Sequence, residues 1–202
     1  MANPYGDVEL NAQGMRALAH PVRLAILFAL QNHGPSTATA LAPTVGASPS
    51  VTSWHLRHLA KHGLVRDSDA GSSGRERWWE AASRGFRFTA HDEAGLEAQR
   101  LLSAVLAEVE GDLPGQWAAE VEPRLEPAWQ EAAGRSSTRI LVTLEELGEL
   151  EAAIEALQAP YVLRKDAVPE SVPPGARGVR HLRHILPELE QEPEVVDKRD
   201  GQ

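Results

Sequence analysis

No segment constrains the fold of this chain more than the run from Ser48 to Val65, which holds a helix start signal, a buried stripe and a stop signal in one short stretch. Ser48 offers a side-chain oxygen to the first unpaired N–H groups of a helix, and Pro49 suits the first helical position, where the N–H it lacks has no partner anyway. Gly63 takes the left-handed conformation that ends a helix at no steric cost. Between these limits Thr52, His55, Leu56 and Leu59 recur at helical spacing and define an inward stripe. Ser50, Ser53, Trp54, Arg57, His58 and Lys61 fall on the other side, with Ser48 and Val51 at its start. Such a face suits a major groove: short hydroxyls permit close approach, Arg grips a guanine edge and Lys meets phosphate.

The flanks extend this pattern. Upstream, Thr37 is placed to cap a short helix running through Leu41 and Ala42, and Gly46 with Ala47 turns the chain into the next helix, which makes a helix, a tight turn and a helix. Downstream, Val65 to Asp69 and Arg75 to Glu80 flank a Gly/Ser-rich tip and predict a hairpin. Arg75 and Arg77 on its second strand place two cations beside the candidate recognition helix, as a wing would.

Three motifs now stand in order: Ala17-Leu-Ala-His-Pro-Val-Arg-Leu-Ala-Ile-Leu27, Ser53-Trp-His-Leu-Arg-His-Leu59 leading into Gly63-Leu-Val65, and Arg75-Glu-Arg-Trp-Trp-Glu80. Over Met15 to Phe88 the chain resembles the ArsR-type winged helix-turn-helix transcriptional regulators, and the resemblance implies a dimeric DNA-binding protein. Two departures stand out. The stretch Ser36 to Pro43, where thiolate metal sensors of that family carry their cysteines, has none, and Pro43 shortens or bends a helix that is otherwise continuous.

Cysteine is absent from the whole chain, so disulfides, thiolate metal sites and thiol redox sensing are all excluded. With 202 residues and 42% hydrophobic content there is room for one or two small domains with real cores. Nothing resembles a membrane span or a signal peptide, and the expectation is a soluble, cytoplasmic protein without membrane partners. The net charge of -9 is unfavourable for a DNA binder until it is divided by position. Residues 1–90 hold nine Lys and Arg against six Asp and Glu, a balance of +3; residues 91–202 hold 11 against 23, or -12. The acidity lies outside the winged helix, and phosphate repulsion orients the basic part towards DNA.

The second half reads as helical with a small strand component. Leu101, Leu102, Val105, Leu106 and Val109 form an apolar stripe on a helix from about Asp92 to Glu110; in a two-domain monomer such a stripe is core, and the resemblance favours its use, with the N-terminal helices, as a dimer seam. Trp117, Val121, Leu125 and Trp129 repeat every four residues, although Pro123 and Pro127 must kink or split that segment. The two Trp are expected core residues, and candidate effector-binding residues if the extra region is regulatory. Arg139 to Val142 is a strand candidate. Thr143 to Glu146 is a capping box opening a helix that buries Leu147, Leu150, Ile154 and Leu157 and closes at Pro160. After a Pro-rich loop, Val179 to Leu186 predicts a second strand, giving a strand-helix-strand unit, and the Glu-rich run beyond Pro187 reads as a solvated, disordered tail.

The histidines invite a metal reading. His58 and His62 are four apart, half of a zinc site, with His55 a turn back, but no carboxylate stands beside them; His181 and His184 on a strand would face opposite sides. No nucleophile elbow, dinucleotide fingerprint or phosphate loop is present, so no catalytic constellation is visible and no cofactor is expected. The fold expected is mainly α with small β (α+β): a winged helix-turn-helix in 1–90, a helical dimerisation and regulatory region in 91–187 and an acidic tail in 188–202. The expected function is a sequence-specific double-stranded DNA-binding transcriptional regulator, a homodimeric repressor on a palindromic operator answering a non-metal signal such as a small-molecule effector. The alternatives are a winged helix kept as a protein-interaction module, or a His/carboxylate metal sensor.

Overall fold

A computed structural model describes residues 5–70, 76–163 and 172–188 of the chain. These fall into two units, one within Met1–Lys165 and one within Asp166–Gln202. The first opens with β1 (Val8–Leu10), α1 (Ala12–Leu18) and α2 (Pro21–His33), then β2 (Ser36–Thr37), α3 (Ala38–Thr44), α4 (Pro49–Lys61) and β3 (Val65–Asp67). It continues through β4 (Trp78–Ala81), β5 (Phe86–Phe88) and α5 (Glu93–Glu110). The helices α6 (Leu113–Glu120) and α7 (Pro127–Ala132) are separated by a 3-10 turn at Glu122–Arg124, and α8 (Leu144–Leu163) follows.

The expected α+β winged helix-turn-helix is present. Strands β2, β4 and β3 form an antiparallel sheet in that order, with Asp67 opposite Trp79 and Val65 opposite Ala81. Two strands that sequence patterning did not single out, β1 and β5, pair in parallel and bring the start of the chain against the end of the wing. Each has only three residues, too few to display an alternating pattern. Leu18, Leu24, Ile26 and Leu27 from the first two helices, Leu56 and Leu59 from α4, Leu64 before β3, and Trp79 on β4 are almost wholly inaccessible and make the core. Burying one such leucine contributes about 1.5–3 kcal/mol.

Helix α5 starts at the expected place, with the Asp92 carboxylate accepting the Gly95 N–H at 2.7 Å. Its apolar stripe is used in part as core. Ala98 and Leu102 are fully buried in the core with α1 and α2, Val105, Leu106 and Val109 pack at the edge, and Leu101 is half exposed. Leu102 is therefore already covered within the chain.

The remaining expectations meet a thinner structure. The Trp117 to Trp129 segment does split at its prolines, and neither Trp is a core residue: both are half-buried on separate short helices. Arg139 to Val142 forms no strand, and Leu141 is fully exposed; without a partner strand an apolar run of this length cannot satisfy its backbone. The Thr143 capping box does form, with the Thr143 N–H donating to Glu146 Oε2 at 2.8 Å and the Glu146 N–H to Thr143 Oγ1 at 3.2 Å. Helix α8 then runs through Pro160 to Leu163, the proline removing only the one helical bond that its N–H would have made to the Ala156 carbonyl. Leu147 and Ile154 are half-buried, but Leu150 and Leu157 are exposed, with no second layer over that face among the described residues. Arg87 ties α8 to the amino-terminal end, pairing with Asp7 at 3.0 Å and Glu155 at 2.6 Å.

In the second unit, Pro173 accepts the Ala176 N–H at 3.1 Å around Gly175, and residues 176–188 have no regular structure. The strand expected at Val179 to Leu186 is absent, and with it the alternation argument about His181 and His184. The proposed tail beyond residue 188 lies outside the described residues, as do Gly71 to Arg75 at the wing tip.

Candidate nucleic-acid interface

The turn between α3 and α4 is built by two helix stops and a start. At the end of α3 the Gly46 N–H bonds to the Pro43 carbonyl at 3.4 Å and the Ala47 N–H to the Ala42 carbonyl at 3.1 Å, a paired closure around a glycine at φ 63. Pro43 thus sits in the last turn, where the N–H it lacks would have bonded to the Thr39 carbonyl. One residue further on, the Ser48 hydroxyl accepts the Val51 N–H at 3.4 Å and Pro49 opens α4. At its other end the Gly63 N–H reaches the Ala60 carbonyl at 3.0 Å and the Leu64 N–H the Leu59 carbonyl at 3.1 Å, with Gly63 at φ 70. The helix is capped at both ends by the residues expected from sequence.

All four residues of the inward stripe, Thr52, His55, Leu56 and Leu59, are buried. Thr52 donates its hydroxyl to the Ser48 carbonyl at 3.0 Å, so its polar atom is satisfied without leaving the core. The outward residues divide into two ridges. Ser53, Arg57 and Lys61 form one, with Arg57 Nη1 donating to Ser53 Oγ at 2.8 Å. Trp54, His58 and His62 form the other, Trp54 stacked over His58 at 5.7 Å between ring centroids and His58 against His62 at 5.0 Å. Ser48 and Ser50 are exposed at the amino end and share a hydrogen bond at 3.1 Å. Val51 is 45% exposed and Trp54 53%.

The wing reaches the polar ridge. Arg77 lies in one cleft with Ser53 and Arg57, and Thr39 donates to Glu76 Oε1 at 2.8 Å beside them. The cations expected from helix and wing are thereby brought together. Arg75 lies outside the described residues. Sequence reasoning missed the company Arg77 keeps: its guanidinium is paired with both carboxylate oxygens of Asp67, one of them at 2.7 Å, and lies 4.0 Å over the Trp79 ring. Hydrogen bonding to Arg77 holds the Asp67 carboxyl below its ordinary range and raises Arg77 further. The signal was available in the pairing of β3 with β4, which sets residues 67 and 77 diagonally across the ladder.

The residue that opens α2 was also missed. His20 caps that helix, its Nδ1 accepting the Val22 N–H at 3.2 Å, and its ring lies 4.7 Å from that of His55. Burial, and then the charges of His20, Arg23 and His58, push the His55 imidazole down to about 4, and burial also lowers His20 and His58. His55 Nδ1 is buried with no hydrogen-bond partner among the described residues. This histidine is a neutral core group. Among the described residues no group of three or more His, Asp or Glu is placed to hold a metal ion. Trp117 and Trp129, the candidate effector residues, stand on α6 and α7. No helix among the described residues is long and apolar enough to cross a membrane.

Residues 18–67 match the family model of a helix-turn-helix domain, a span from the end of α1 to the end of β3 that contains the whole outward face of α4. No curated protein matches the chain. Among solved structures, a transcriptional regulator homologue from Pyrococcus horikoshii OT3 is 25% identical, with 50% of this chain and 91% of that one covered, at a TM-score of 0.31. A mutant of ZitR from Lactococcus lactis in apo form is 19% identical, with 69% and 84% covered, at a TM-score of 0.31.

Proposed function

We propose that the chain is a sequence-specific double-stranded DNA-binding transcriptional regulator that acts as a homodimeric repressor on a palindromic operator and is released by a non-metal signal. The observation that carries this is the outward face of α4. A helix capped at both ends and anchored by four buried side chains presents hydroxyls, an arginine and a lysine along one ridge, beside a wing arginine. That is the composition a major groove selects, with phosphate-facing cations around groups short enough to reach base edges. The +3 balance of residues 1–90 supports it, and the -12 of the remainder directs the basic side to DNA.

In this reading Ser48, Ser50, Val51, Ser53, Trp54, Arg57, His58, Lys61, Arg75 and Arg77 contact DNA. Residues 1–90 form the binding domain, 91–187 mediate dimerisation and signal response, with Trp117 and Trp129 as effector contacts, and 188–202 are an acidic tail. Exposed Leu96 and Leu101 on α5 are available to a second copy, whereas Leu102 is not. The test is selection of bound duplexes from random-sequence DNA by the full chain. Recovery of one motif with two inverted half-sites is the expected result. Binding of all sequences alike, or of none, overturns it.

A further inference from the structure

The polar ridge of α4 accounts for hydrogen-bonded readout, but it leaves the apolar part of the same face unexplained. Val51 and Trp54 are neighbours one helical turn apart, both about half exposed, at the amino-terminal end of α4. That end is the part of a recognition helix that comes closest to base edges. Neither side chain is loose. The Trp54 indole stands edge-on to His55 at 4.8 Å and stacked over His58 at 5.7 Å, so imidazoles hold it on two sides while the rest of the ring faces outward. Val51 is β-branched and confined to essentially one rotamer in a helix.

A rigid apolar pair flanked by Ser50, Ser53, Arg57 and Lys61 is matched to a surface that is polyanionic at its rim and carries an apolar group within. The base edges of the major groove carry one apolar group, the C5-methyl of thymine. We propose that Val51 and Trp54 are specificity-determining residues that clamp a thymine methyl, so that the bound site contains A·T pairs at the positions facing the first turns of α4. This rests on α4 being the helix that enters the major groove. It goes beyond that reading by stating which base the apolar half of the face selects.

The experiment uses the full chain and the duplex it selects, with each thymine replaced in turn by deoxyuridine. That change removes the methyl and leaves every hydrogen-bonding group of the A·T pair in place. At one or two positions per α4 contact the substitution is expected to weaken binding about three- to tenfold, the effect of losing one well-packed methyl. In Val51→Ala and Trp54→Ala chains the same substitution should cost less than twofold. The deoxyuridine scan on the native chain stands even if Trp54→Ala does not fold. Specific binding with no deoxyuridine-sensitive thymine, or a deoxyuridine loss undiminished in both variants, overturns the methyl clamp and leaves the DNA-binding reading intact. Failure to bind any duplex specifically overturns both.

Discussion

Arg57 is exposed on the polar ridge and, among the described residues, donates to Ser53, so its replacement tests the interface without touching the core. Arg57→Ala is expected to weaken specific DNA binding by about 1–3 kcal/mol, the worth of a bidentate guanine contact, at an unchanged melting temperature. Equal affinity in a quantitative binding titration would remove it from the interface. Asp67 acts in the opposite sense. It occupies the Arg77 guanidinium that a phosphate would otherwise bind, and the pair is exposed enough to contribute little to stability. Asp67→Asn should tighten binding to all sequences and steepen the dependence of log affinity on log salt by about 0.9, one phosphate contact. An unaltered slope would mean that Arg77 does not reach the backbone. His55 sets a pH limit. Its folded-state value of about 4 lies below the ordinary 6.5, so the unfolded chain takes up the proton first, and stability is lost as pH falls through that window. Denaturant melts should lose about 1.5 kcal/mol between pH 6.5 and 5, and a His55→Gln chain should lose less.

At the scale of elements, the ends of α4 determine where its outward face points. Gly63 sits at φ 70 with open space where a Cβ would be, so Gly63→Ala costs only the backbone strain of a left-handed residue, about 1 kcal/mol. A loss of that size in denaturant unfolding, with full DNA affinity, is the expected outcome; a loss above about 3 kcal/mol would imply packing that the closure does not provide. The elements that departed from expectation share one cause. Arg139 to Val142 and Val179 to Leu186 have strand composition but no neighbouring strand among the described residues, and α8 has apolar residues all round but covers only one face. Composition reports what a segment could bury; whether anything lies against it is settled elsewhere in the chain.

For the whole molecule, α5 is the element on which domain boundaries turn. Its Ala98 and Leu102 are part of the same core as α1 and α2, so a chain ending at Ala90 loses the cover over Met15 and Leu18. Such a truncation is expected to forfeit cooperative unfolding, whereas one ending at Gly111 keeps it; calorimetry on the two distinguishes a self-sufficient 1–90 domain from one that includes α5. DNA affinity of the full chain should be indifferent to zinc, nickel, copper and chelators. Release by a stoichiometric divalent ion would restore the metal-sensor alternative.

What the sequence determined by itself is the helix-turn-helix and its outward face. Capping by Ser48, closure by Gly46 and Gly63, and a stripe of period 3.6 are local physics, legible because each signal and its partner lie within a few residues. The Thr143 capping box and the Asp92 helix start were legible for the same reason. What only the tertiary structure decided depends on residues far apart in the chain: the pairing of β1 with β5, the use of Leu102 for the core and not for a seam, the His20 ring beside His55, and the Asp67 partner that occupies Arg77. A residue type states what an interaction would require. The meeting of two distant segments, which decides whether the requirement is satisfied and by whom, is a property of the packed chain.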